Sequence, residues 1–390
     1  MPEAVIVEAV RAPIGKRRGA LADVHPVDLS AAVLQELQRR TGIDPADVDD
    51  VLWGCVNQLG DQAAQIARFV VLAAGWPESV PGVTINRACG SAQASIDFGA
   101  GMVMSGQYDM VVVGGVESMS RVAPGAGRGR EFGRPFGELT RERYAEQLAD
   151  FPDGDFNQGL GAELIAQKWG FSRHRLDEYS SMSHERTAAA IDDGAFDSQL
   201  IRVPGLPDFV ADEGLRRGTT PERLAGIRTP FLENGVIHGG NASQISDGAA
   251  GVLITTPERA AQLGLEPIAR YHSGAVTGSD PIMMLTGPIP ATEKVLRKSD
   301  LSIDDIGAFE VNEAFAPVPL AWQAEFGVDD AVLNPLGGAI AVGHPLGASG
   351  AILMTRLVHH MREQGIRYGL QTMCEGGGTA NATIVELVAT

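Results

Sequence analysis

Cysteine is scarce in this chain: Cys55, Cys89 and Cys374 are the only three among 390 residues. An odd, widely spaced set builds no disulfide framework, and no C-x-x-C pair offers a zinc site. Positive charge is in deficit too. Lys and Arg number 31 against 49 Asp and Glu, a net charge of −18. A nucleic-acid or anionic-membrane surface would want the opposite balance. Long apolar runs are missing, since none approaches the ~18 residues needed to cross a bilayer. The opening MPEAVIVEAVRAPIGKRRG places its basic residues after the apolar run, the reverse of a secretory leader. The closing ELVAT matches no peroxisomal or lipidation address. There is no Walker motif and no GxGxxG after a strand, which argues against nucleotide hydrolysis and dinucleotide use. These absences lead us to expect a cytoplasmic protein in a reduced compartment, with no nucleic-acid, membrane or metal partner.

What is abundant is glycine: 48 of 390, or about 12%, against roughly 7% on average. Without a collagen period this means many tight turns and close backbone approaches. Hydrophobic residues at 44% and charged residues at 21% allow a large core, and the length suits two or three domains. Short apolar runs at 4–10, 49–56, 83–86 and 109–115 read as strands bounded by Gly, Pro or Asp. Helical spacing lies between them, so a sheet covered by helices is expected. The pattern then recurs. Val48 and Ile306, Cys89 and Gly347, and Val111 and Gly369 all sit 258 residues apart in similar settings. That predicts a duplicated unit. Between the copies the texture changes. Residues 121–143 carry six Arg and three Glu amid Gly and Pro, and 212–231 is again rich in Arg. We read 118–242 as an inserted loop domain, 1–117 completed by about 243–263 as the first half, and 264–390 as the second.

Several residues could carry chemistry. Cys89 follows an apolar strand and opens a small-residue helix pattern, CGSAQASI. A thiol there meets free N–H groups and the positive end of a dipole, which predicts a lowered pKa and a nucleophile. His344 sits between Gly343 and Pro345, a rigid setting suited to a fixed base or oxyanion donor. Cys374 precedes three glycines, whose N–H groups could stabilise an oxyanion. Asn312 in FEVNEAFAP could orient a water or a carbonyl, or simply cap a turn. Ser243 and Asp247 could equally be loop and helix cap. The two cysteines, the histidine and the asparagine are each expected at the end of a strand, where sites of α/β sheets gather.

The motifs CGSAQA (89–94), GNASQISDGAA (240–250), NEAFA (312–316), GHPLGASG (343–350) and CEGGG (374–378) resemble those of the thiolases, in thiolase order. The resemblance spans essentially the whole chain. It implies an α/β fold of two similar halves in five αβαβα layers, with a loop domain inserted in the first. It also implies a CoA-dependent acyltransferase that cleaves a 3-oxoacyl-CoA to acetyl-CoA and a shortened acyl-CoA, or runs the reverse condensation. Cys89 would take the acyl group. His344, with a water held by Asn312, would form one oxyanion hole, and the N–H groups of Cys89 and Gly376 a second. Cys374 would move the proton at the acetyl methyl carbon. Arg216, Ser243 and Phe315 would contact coenzyme A, which is a substrate and not a permanently bound cofactor. A homodimer or homotetramer is implied, and 121–143 would be either an oligomer-contact loop or a site for the CoA phosphates. One departure concerns the acyl pocket. Where many thiolases carry Met-Gly-x-x-Ala-Glu, this chain reads Asn157 to Glu163 without the Met; Met283 and Met284 could line the same pocket or simply pack in the core. A ketoacyl synthase would want a second His where Asn312 stands and no Cys at 374. A non-catalytic acyl-CoA binder would need no pair of thiols.

Overall fold

The computed structural model describes residues 3–127 and 132–388. The first half runs β1 (Val5–Arg11), β2 (Gly15–Lys16), α1 (Pro26–Thr41), β3 (Asp50–Gly54), α2 (Ile66–Ala73), β4 (Val83–Ile85), α3 (Ser91–Met104) and β5 (Met110–Ser118). Then come α4 (Glu138–Arg143), α5 (Gln158–Trp169), α6 (Arg173–Asp192) and α7 (Pro221–Leu224), before β6 (Ser246–Thr255) and α8 (Pro257–Leu263). The second half runs β7 (Ala269–Gly278), α9 (Pro288–Ser299), β8 (Ala308–Val311), α10 (Pro317–Phe326), α11 (Ala339–Val342), α12 (Ser349–Gln364), β9 (Tyr368–Glu375) and β10 (Thr379–Leu387).

The strand order is β4-β3-β5-β6-β1-β7-β10-β9-β8, with β2 beside β6. Read outward from the β1–β7 seam, β1-β6-β5-β3 in one half matches β7-β10-β9-β8 in the other, and β4 is an extra edge strand of the first half. The seam itself is thin, pairing Val5 with Arg270 and Ile6 with Ala269. The predicted offset is visible in the elements: β3 and β8, α3 and α12, and β5 and β9 each begin 258 residues apart. Helix α1 packs on β1, β5 and β6, with α2 beside it. Helix α9 packs on β7, β9 and β10. Between the two sheet halves, α3 and α12 touch each other and strands of both halves. That stacking is the five-layer duplicated αβαβα fold.

Local sequence explains the elements. In α1, Pro26 opens the helix, Asp28 sits in its first turn, Arg39 and Arg40 in its last, and Gly42 closes it at φ 66°. Leu29, Val33, Leu34 and Leu37 form its buried stripe, and each such side chain contributes roughly 2 kcal/mol on burial. Strand β5 is buried at every position, as its run MVVVGG predicts. Gly115 is required there, because a Cβ would lie 2.0 Å from the carbonyl oxygen of Gly347. The segment between β5 and β6 is pinned to the core by charge. The Arg11 guanidinium donates to Asp212 at 2.7 and 3.1 Å, and Asp212 also accepts from the Ile14 N–H at 2.8 Å.

Three expectations need correction. His344 does not end a strand; it follows the one-turn helix α11, because apolar spacing over GGAIAV cannot separate strand from helix. Asp247 is no helix cap. It lies inside β6 and accepts from the Ser120 N–H at 2.8 Å. The helix pattern near Cys89 begins two residues later, at Ser91. Of the Arg-rich stretch 121–143, residues 128–131 lie outside the described residues.

Candidate active site

Cys89 stands in the turn between β4 and α3. Ala88 before it is held at φ 45°, an uncommon conformation for a residue with a side chain. Ser91 fixes the turn: its hydroxyl donates to the Ala88 carbonyl at 2.6 Å and accepts from the Arg87 N–H at 2.9 Å. Cys89 is 3% exposed and packs with Leu353 and Met373. Its sulfur meets the N–H of Gly376 and its own N–H, and lies close enough to Cys374 to feel a charge there.

His344 follows Gly343, whose φ of 107° only glycine adopts readily. The Ser349 hydroxyl donates to the Pro345 carbonyl at 2.9 Å, which leaves its lone pairs to accept from His344 Nδ1 at 2.5 Å. That pattern assigns the proton to Nδ1 and leaves Nε2 as the free base. Asn312 follows β8, its own N–H bonded to the Thr372 carbonyl at 3.1 Å. Its Nδ2 lies 3.4 Å from His344 Nε2 and 3.8 Å from Cys374 Sγ. Asn312 Oδ1 is buried without a partner among the described residues. Cys374 is the penultimate residue of β9 and also meets the Ala314 N–H. The two sulfurs, the imidazole, the amide and the Gly376 N–H therefore gather in one buried cluster.

The electrostatics differ from the expectation of a ready thiolate. Burial drives the Cys89 thiol well above the ordinary range, and charges on Cys374 and Glu375 would raise it further. The Gly376 and Cys89 N–H groups pull the other way and do not win. Cys374 is pushed up to about 12, again by burial, against the Asn312 amide and the Ala314 N–H. Burial pushes His344 down to about 4. At neutral pH the resting site holds two thiols and a neutral imidazole. The lowering of the Cys89 pKa expected from the helix start gives way to a raising, because the sulfur is buried.

Two buried carboxylates that sequence reasoning passed over hold this geometry. Glu117, from β5, accepts from the N–H groups of Val56, Asn57 and Gly347 at 2.9, 3.0 and 2.9 Å, fixing the His344 loop to the first half. Glu313 accepts from Tyr179, Ser183 and the Ile340 N–H at 2.9, 2.8 and 3.0 Å, fixing Asn312 to α6 and α11. Charge inside or just beyond an apolar strand, as in VVVGGVES and FEVNEAF, was the available signal. Of the residues expected to meet coenzyme A, Phe315 is buried against Phe231 with ring centroids 6.2 Å apart, and the Ser243 N–H donates to the Ala314 carbonyl at 2.9 Å. Both lie beside Asn312. Arg216 is exposed, with its N–H bonded to His184 Nδ1 at 3.2 Å. Its loop reaches the site through Gln244, which donates to the Gly214 carbonyl at 2.8 Å and accepts from the His344 N–H at 3.1 Å. Met284 is buried in the same apolar cluster as Cys374 and Phe315, with Met283 partly buried against it.

The family profile described as thiolase, N-terminal domain, matches residues 4–258, and that of the thiolase C-terminal domain matches residues 265–387. The chain belongs to the thiolase family. This thiolase is 50% identical to a steroid 3-ketoacyl-CoA thiolase of Mycobacterium tuberculosis, over 99% of this chain and 94% of that one. It is 41% identical to the 3-oxoadipyl-CoA/3-oxo-5,6-dehydrosuberyl-CoA thiolase of Escherichia coli, over the full length of both. Among solved structures it resembles the acetyl-CoA acetyltransferase of Bacillus anthracis, with a TM-score of 0.90, 36% identity and coverage of 100% and 99%. It is thus an acyltransferase that uses coenzyme A as a substrate and cleaves 3-oxoacyl-CoA thioesters. No helix among the described residues is long and apolar enough to cross a membrane.

Proposed function

We propose that Cys89 and Cys374 divide the reaction between them. In the cleavage direction, Cys89 sulfur gives its proton to His344 Nε2 and attacks the 3-oxo carbon. The bond between carbons 2 and 3 breaks, and its electron pair passes to carbon 2 as the enolate of acetyl-CoA. Cys374 donates its proton to that carbon, and acetyl-CoA leaves. Free CoA, its thiol proton taken by the Cys374 thiolate, then attacks the acyl-Cys89 carbonyl. The Cys89 sulfur leaves and recovers its proton from His344. Protonated Nε2 becomes a hydrogen-bond donor and, with a water on Asn312 Oδ1, faces the thioester oxygen of the enolate. The N–H groups of Cys89 and Gly376 face the oxygen of the tetrahedral intermediate. Such donors cost no reorganisation when charge develops, and each is worth roughly 3 kcal/mol in comparable sites.

The observation that carries this reading is the Asn312 side chain, set between His344 Nε2 and Cys374 Sγ at 3.4 and 3.8 Å. Neutral resting groups suit it, because charge then appears only with substrate in place. Mixing the protein with acetyl-CoA should leave an acetyl group on the peptide carrying Cys89, and free CoA should discharge it. An adduct that forms elsewhere, or that CoA does not remove, would refute the assignment.

Around this chemistry we place the inserted segment 118–242 as a loop domain between 1–117 with 243–263 and 264–390. Arg216 answers the phosphates of CoA, while Ser243 and Phe315 line its pantetheine arm. The protein works in the cytoplasm as a homo-oligomer. Strand β4 ends the sheet with its outer edge unpaired, and Phe69, Leu72, Val83 and Phe98 are large apolar side chains exposed near it. An open apolar edge of this kind calls for a second copy. Sedimentation should find at least a dimer.

A further inference from the structure

One polar side chain near this cluster is unused by the mechanism. Gln158 opens α5 and is half-buried, and its side chain makes no hydrogen bond to any described residue. Its Nε2 lies 3.0 Å from the position a Cβ would take on Gly376, while Ala88 Cβ lies 3.8 Å from that same point. The amide therefore borders the residues that flank Cys89. It is not a loose surface group, because its backbone is clamped. A Cβ on Gly159 would meet the Phe231 ring at 2.1 Å, and one on Gly161 the Met283 carbonyl oxygen at 2.9 Å. Asn157 Oδ1 accepts from the Leu160 N–H at 3.1 Å, and Glu163 accepts from the N–H groups of Val236 and Ile237 at 2.9 Å each. An amide thus stands against Gly376 and near Ala88, the neighbours of the thiol that takes the acyl chain, where the family resemblance leads one to expect an apolar thioether.

An alkyl chain seated against that amide would strip its water and return no hydrogen bond. Leaving a buried polar group unpaired is costly, whereas a site built to bond a substrate oxygen discriminates strongly against analogues lacking it. We infer that Gln158 is a specificity residue: its amide hydrogen-bonds an oxygen on the acyl chain carried by Cys89, so the enzyme favours 3-oxoacyl-CoA thioesters whose chain bears a ketone, hydroxyl or carboxylate. This deepens the acyl-transfer reading and rests on it.

The test measures kcat/KM for thiolysis of 3-oxohexanoyl-CoA, its ω-hydroxy and ω-carboxy counterparts, and a 3-oxoacyl-CoA bearing a ring ketone. Wild type should prefer at least one oxygenated chain over the alkyl chain. Gln158→Met, of nearly equal length, should reduce that preference roughly tenfold. Gln158→Glu separates the oxygens: a carboxylate repels ketone and carboxylate chains but still accepts from a hydroxyl. Loss confined to some oxygenated chains supports the inference and names the group. A preference unchanged in Gln158→Met, or equal losses on all four chains, overturns it. If wild type cleaves none of the four, the acyl-transfer reading itself fails.

Discussion

The duplicated halves place one loop contact in the molecule twice and use it differently. Cys89 stands 258 residues before Gly347, Gly54 before Asn312, Val116 before Cys374 and Asn86 before His344. In one copy, the Gly347 loop closes on the ends of β3 and β5. A Cβ on Gly347 would lie 2.4 Å from the Val116 carbonyl oxygen and 2.8 Å from Cys55 Cα, so nothing larger fits. In the other copy, the Cys89 loop meets the end of β9, and the positions equivalent to Gly54 and Val116 hold Asn312 and Cys374. Asn86, the counterpart of His344, spends its amide locally, donating to the Val56 carbonyl at 3.0 Å and accepting from the Ala88 N–H at 3.0 Å. One scaffold thus makes a sealed joint and a reactive cluster, separated by side-chain size and polarity and by the helix α11 that stands before His344 where strand β4 stands before Asn86.

That contrast can be broken in stages. The largest effect is expected from Cys89→Ser, which should lower thiolysis by roughly 10⁴-fold or more and abolish the acyl adduct; turnover within tenfold of wild type would contradict the role. Ser349→Ala releases His344 Nδ1 and should lower kcat about 10–100-fold, the usual cost of losing a residue that orients a functional imidazole. The account requires kcat to fall more than KM rises. Gly347→Ala probes the sealed copy. It forces backbone apart and should cost about 1–3 kcal/mol, read as a lower urea midpoint at unchanged slope. The mildest test concerns charge. Because burial holds the Cys89 thiol above its ordinary range, its alkylation by iodoacetamide should keep rising about tenfold per pH unit through neutrality. A plateau below pH 7 would mean a resting thiolate after all.

Much of this was legible in the sequence. Strand and helix alternation and the single offset of 258 rest on spacing, which one chain displays directly. The Cys89 turn was visible as a strand followed by a run of small residues. The placement of His344 was not, because GGAIAV is apolar at every position and a single buried turn carries no period. The protonation state of Cys89 was misread for a related reason. Dipole and N–H donors are local features, whereas burial depends on residues such as Leu353 and Met373, 258 or more positions away in sequence. Glu117 and Glu313 were visible only as charges out of place, since their partners come from Asn57, Tyr179 and Ile340.

The division of labour between the two sulfurs is most directly tested by hydrogen exchange at carbon. Wild-type protein incubated with acetyl-CoA in deuterated water should carry deuterium into the acetyl methyl group. Cys374→Ala should lose that exchange while still forming the acetyl adduct on Cys89. Exchange that persists in Cys374→Ala at the wild-type rate, or an adduct that vanishes with it, would contradict the account.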